Sequence, residues 1–158
     1  MCRRRHKVAF IAEPNLKFGS RFLRRKNASA EWRLVCKIID EVSFAGTDSV
    51  VPSTIEGKCV QDADRLDAMG AIGIARTFAY GGSRGRMIYD PDIKPRIGMS
   101  KEEYQKNRNS TSINHFYEKL LLLKDMMNTT AGKKLAEHRQ AVMQEFLNEF
   151  MAEWKGEK

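Results

Sequence analysis

Apolar residues recur along the chain at helical rather than strand spacing, and the period holds almost from end to end. Residues 16–26, LKFGSRFLRRK, predict a short basic helix. Ser29 is placed to cap a second helix over about 30–43. Its apolar face would take Trp32, Val35, Cys36, Ile39 and Val42, spaced i, i+3, i+4, i+7 and i+10. FAGTDSVVPST reads as a loop, with Ser53 or Thr54 capping a third helix over about 55–80. A fourth helix is predicted over about 112–127, where Ile113, Phe116, Tyr117, Leu120 and Leu121 follow the helical template. Asn128 or Thr129 opens a last helix to about 154, with Leu135, Val142, Met143, Phe146, Leu147, Phe150 and Trp154 in one stripe. Met126, Met127, Met143 and Met151 read as flexible core filling. The sum is an all-α domain.

The third helix is unusual. Ala63, Ala68, Gly70, Ala71, Gly73 and Ala75 are all small. A glycine inside a helix costs about 1 kcal/mol relative to alanine, so two of them predict a backbone passing close by. GGSRGRMIYDPDIKPRIG is a long loop, of the kind that is usually functional or mobile.

Length and charge narrow the picture. At 158 residues, 42% hydrophobic and 30% charged, the chain can bury a core as one domain or a large piece of one. It lacks a long apolar run, so no membrane span is expected. Cys2, Cys36 and Cys59 are odd in number and lack CxxC spacing, which favours inert reduced thiols in a cytosolic protein over a zinc site. Residues 1–40 hold eleven of the 28 Lys/Arg and three of the 20 Asp/Glu. The rest, seventeen of each, cancel, so the +8 excess lies in the first quarter. Such an arm can bind nucleic acid or an acidic partner, but MCRRRHK carries no interleaved aromatic residues for stacking, and a solvated end is the plainer reading.

The candidate chemistry lies in KCVQDADRLDAMGAIGIARTFAYGG. Successive helical residues turn by about 100°, so Asp64 and Asp67 share a side and Asp62 points away. Spacing alone leaves three uses open: the helix dipole, ion pairs with Lys58 or Arg65, or oxygen ligation of a hard cation. Gly81-Gly82-Ser83-Arg84-Gly85-Arg86 has the composition of an anion-binding loop, or of a helix end with Gly81 as cap. His115 and Lys119 are i and i+4, and His115 reads as a satisfied core histidine. His138 reads as surface.

The motif resembles the C-terminal motif of bacterial HD-domain phosphohydrolases. The resemblance runs from KIIDEVSF through SINHFYEKLLLLKDMMNTTAGKKLAEHR, over about residues 30–150. It implies an all-helical domain that cleaves phosphate esters, often of nucleotides, with Mn²⁺ or Mg²⁺. The family's four ligands are a His, a His-Asp pair and a distant Asp. The last maps to Asp64, with Asp62 as fallback and Asp67 as a supporting group. Arg76, Arg84, Arg86 and Lys119 are the candidates for phosphate. The His-Asp pair would fall at Ala9-Phe10, before Ile11-Ala12-Glu13-Pro14, and neither residue binds a hard cation. His6 is a poor substitute. The expectation is therefore an aberrant segment 1–29 and an HD-type part 30–158 that lacks its first helices. It would be truncated, frame-shifted or diverged, with an incomplete metal site. Exposed apolar surface would then favour homodimerisation. Nucleic-acid binding through the basic arm is the alternative.

Overall fold

The computed structural model describes residues 30–158 apart from 101 and 104–109. The predicted 16–26 helix, the Ser29 cap, the basic arm and His6 lie outside the described residues. Five α-helices are described: α1 (Ala30–Val42), α2 (Ile55–Asp67), α3 (Gly70–Ser83), α4 (Ser112–Glu118) and α5 (Thr130–Lys155). Two 3₁₀ segments, Gly46–Asp48 and Leu120–Met126, complete the order. The described part is all-α. Its longest element, α5, packs against α2, α3 and the second 3₁₀ segment, while α1 packs on α2.

The core gathers Met69, Ile113, Phe116, Leu120, Leu123, Met127, Met143 and Leu147, all nearly inaccessible. Phe78, Phe116 and Phe146 meet with ring centres 5.7–6.1 Å apart, adding edge and tilted contacts to the area they bury. Two of the predicted caps form. The Thr54 hydroxyl accepts from the Gly57 amide at 3.1 Å, and that of Thr129 from Gly132 at 3.0 Å. Each satisfies an amide that the first turn of a helix leaves without an intrahelical partner.

Several expectations are corrected. The span 55–80 is two helices, because the chain turns at Ala68–Met69 and Gly70 enters α3 at φ +71°. Only glycine takes that conformation cheaply, and a side chain there would also press on Arg139 of α5. The close backbone at Gly73 is the carbonyl of Ala68, at the turn into its own helix. The span 112–127 is likewise broken: Lys119 leaves α-helical geometry at φ −142°, and the chain continues as 3₁₀. Gly81 is not a cap. It is buried inside α3 against the Ser112 hydroxyl, and Arg84 ends the helix. Lastly, the apolar stripe of α1 is not core among the described residues. Cys36 is buried, whereas Val35 and Ile39 are exposed, because α1 meets the rest of the described fold through α2. Cys59, Leu135 and Trp154 are exposed as well.

The long loop after α3 is pinned rather than loose. The amides of Ser112 and Ile113 donate to the carbonyls of Met87 and Ile88, each at 2.9 Å. The Asn114 amide group donates to the Ile93 carbonyl at 2.7 Å, and the Arg96 amide to Glu118 at 3.2 Å. The start of α4 is thus completed by the loop that precedes it.

Candidate functional site

The three aspartates of α2 have three different surroundings. Asp62 is 3% exposed. Its Oδ1 accepts from the amide and side chain of Asn128 at 2.8 and 2.9 Å. Its Oδ2 accepts from the amide and hydroxyl of Thr129 at 2.8 and 2.7 Å. Burial pushes its carboxyl upward, but these four bonds outweigh it and hold the pKa below the ordinary value. Asp62 therefore caps the start of α5 from a different helix. Gln61, fully buried beside it, continues this work. Its amide nitrogen donates to the carbonyls of Glu41 and Val50, and its oxygen accepts from Asn128.

Asp67 lies at the other end of α2 and pairs with Arg76 of α3, which also donates to the Asp67 carbonyl. The pair spans the break between the two helices. Both side chains are about half exposed, so the contribution to stability is small.

Asp64 differs from both. It is exposed, as Asp67 is, but its charge acts on two largely buried cations. Arg65 is 4% exposed and donates from its guanidinium to the Met126 carbonyl. Burial lowers its pKa, while Asp62 and Asp64 oppose that shift. Lys119, from the junction after α4, sits 4.9 Å from the centre of the Phe44 ring. Burial lowers the Lys119 pKa too, opposed by Asp64 and reinforced by Arg76 and Arg65. The charges of Asp64, Arg65 and Arg76, from α2 and α3, all act on Lys119 at the junction after α4.

The remaining candidates stand apart. Arg84 is exposed and lies 5.3 Å over the Tyr80 ring. Arg86 is half-buried, and its charge acts on His115. Burial first, then Lys119 and Arg86, push the His115 pKa down to about 3, so its imidazole is neutral. His138 is exposed. Sequence reasoning missed the buried polar set Gln61, Arg65 and Glu118. The available signal was that positions 57, 61, 62 and 65, one face of α2, carry no large apolar side chain.

The fit to a divalent cation is partial. Among the described residues, no group of three His, Cys, Asp or Glu side chains converges. Asp64 is a single carboxylate whose charge acts on Arg65 and Lys119, and the two oxygens of Asp62 are engaged at α5. The described residues alone do not make a complete metal site. None of the described helices is long and apolar enough to cross a membrane.

No family model matches the chain. It is 42% identical over 117 residues to the uncharacterized protein YpgQ of Bacillus subtilis, over 73% of this chain and 49% of that protein. A Lactobacillus plantarum protein of solved structure is 46% identical with a TM-score of 0.78, over 89% of this chain and 66% of that one. An HD-superfamily hydrolase from Bacillus thuringiensis is 48% identical with a TM-score of 0.59, over 88% of this chain and 62% of its own. YpgQ in complex with ADP superposes with a TM-score of 0.60 at 33% identity, over 87% and 62%. The chain thus spans about half of the curated relative and under two thirds of that hydrolase. Helix content and these likenesses agree: the chain has an all-α fold of the HD type.

Proposed function

We propose that the chain is a relative of the HD-domain metal-dependent phosphohydrolases, that Asp64 occupies a metal-ligand position, and that the substrates are phosphate esters of the nucleotide class. The observation that carries this reading is the contrast along one helix. Asp62 is engaged at α5 and Asp67 with Arg76, which leaves Asp64 exposed, with its charge acting on Arg65 and Lys119. Identity to an HD-superfamily hydrolase and to a protein solved with ADP supports the class. Lys119 and Arg76 supply positive charge where a phosphoryl group would sit. Arg84 and Arg86 are assigned no part.

A bound Mn²⁺ or Mg²⁺ would polarise a phosphoryl oxygen and activate water. Residues 30–158 would supply one of the four ligands of that pattern. Calorimetric titration with Mn²⁺, paired with a metal-dependent assay on nucleotides, tests the reading. We expect Mn²⁺ binding that disappears in Asp64→Asn and is weaker than that of a four-ligand site. Binding that the substitution leaves unchanged would refute the assignment. Turnover that depends on Asp64 would mean that the other ligands come from outside residues 30–158.

A further inference from the structure

Arg65 is a buried cation to which the proposed function gives no role. It is 4% exposed and lies on the face of α2 that carries Gln61 and Asp62. Its Nη1 donates to the Met126 carbonyl at the end of the second 3₁₀ segment, which ties the side chain down at one corner. Nε is sealed from solvent without a hydrogen-bond partner. Among the described residues Nη2 has no partner either, and it is not sealed as Nε is. The carboxylates of α2 do not fill this gap. Asp62 is bonded to Asn128 and Thr129, and Asp67 is paired with Arg76. Asp62 and Asp64 reach Arg65 only through their charge.

Nε and Nη2 form one edge of the guanidinium. Their N–H groups point the same way and match two oxygens of one oxyanion. Buried donors in folded proteins nearly always have a partner, and a buried charge needs an opposite one. Here the Met126 bond holds the edge in place, and the edge has neither. A water could accept from Nε, but it would leave the charge uncompensated. The surroundings favour a dianion over a single carboxylate. The charges of Arg65 and Arg76 both act on Lys119, which is itself largely buried. Three cations whose fields overlap are relieved more by two negative charges than by one.

We propose that the Nε–Nη2 edge of Arg65 receives a phosphoryl group, two of whose oxygens accept from it. The choice of phosphate rests on the phosphate-ester reading above, and the contact is one that the reading leaves out. Arg65 follows Asp64 on α2, about 100° further round the helix. The anion contact and the proposed metal-ligand position therefore belong to one helical turn and use different side chains.

Inorganic phosphate in EDTA separates the two claims, because no metal is then needed. The probe is phosphate titrated into the full chain by calorimetry, with acetate alongside. We expect saturable phosphate binding at least tenfold tighter than that of acetate. Arg65→Lys keeps a positive charge and a donor for the Met126 carbonyl but has no such edge, and it should weaken phosphate at least tenfold. If that variant fails to fold, the Arg65 Nε–H resonance of the isotope-labelled parent is the readout, and it should shift as phosphate is added. Absence of phosphate binding by the folded parent overturns the proposal. So does equal affinity for acetate, or an Nε–H resonance that phosphate leaves in place. Lower stability in a folded Arg65→Lys with phosphate affinity intact overturns it too, and makes Arg65 a structural residue only. Phosphate binding in EDTA without Mn²⁺ binding at Asp64 would uphold this contact and remove the metal assignment.

Discussion

Asp62 and Asp64 are two residues apart and do opposite things. Asp62 joins α2 to the start of α5 through four short bonds, and its removal leaves the part-buried amides of Asn128 and Thr129, just before that helix, without this partner. Asp62→Ala should cost about 3 kcal/mol, the sum of a lost cap and lost charged hydrogen bonds. Denaturant unfolding would register this as a lower midpoint. Asp64→Asn, at an exposed position, should fall within about 0.5 kcal/mol of the parent by the same measurement. His115 adds a pH signature. Its pKa is near 3 in the fold and 6.5 when free, so the unfolded chain binds the extra proton between those values. Stability from the neutral imidazole is complete above pH 6.5 and is lost as pH falls towards 3, at up to about 1.4 kcal/mol per pH unit. The Asp62 contribution runs in the same direction but in a lower window, being lost as pH falls below 3.8 through its depressed pKa. Urea midpoints measured from pH 7 to pH 4 should fall, and His115→Gln should flatten the slope.

At the scale of the element, the helices were legible where local chemistry sets their ends. Thr54 and Thr129 cap as their positions predict. The break between α2 and α3 was not, because the run of small residues keeps its helical character through Ala68 and Met69. What ends α2 is tertiary: Gly70 takes a positive φ, and Arg139 of α5 both crowds it and donates to the Leu66 carbonyl. Gly70→Ala should therefore destabilise by about 1–2 kcal/mol, combining the left-handed backbone with the Arg139 contact. A fall in melting temperature would show it, and a gain would indicate that the helices fuse without cost. The polar face of α2 was hidden for a related reason. Gln61, Asp62 and Arg65 serve carbonyls and amides at the ends of other elements, and no periodicity announces that. The α1 stripe misled in the opposite sense, since apolar spacing predicts a buried face without saying which residues bury it.

Across the whole molecule, one arrangement links stability to the candidate site. The buried polar residues of α2 fasten the start of α5 and the end of the second 3₁₀ segment. Lys119, over the Phe44 ring, feels the charge of Asp64, while Asp62 is bonded to the start of α5 and Asp67 to Arg76 of α3. The all-α HD-type fold was readable from the motif together with the helical period. The division of labour among the aspartates was not, because it depends on where Asn128 and Arg76 arrive. The most direct measurement is a calorimetric Mn²⁺ titration of the full chain beside Asp64→Asn, with both shown to be folded. Heat of binding is expected in the parent and should vanish in the variant while the melting temperature stays put. Identical titrations for the two proteins would contradict the assignment of Asp64.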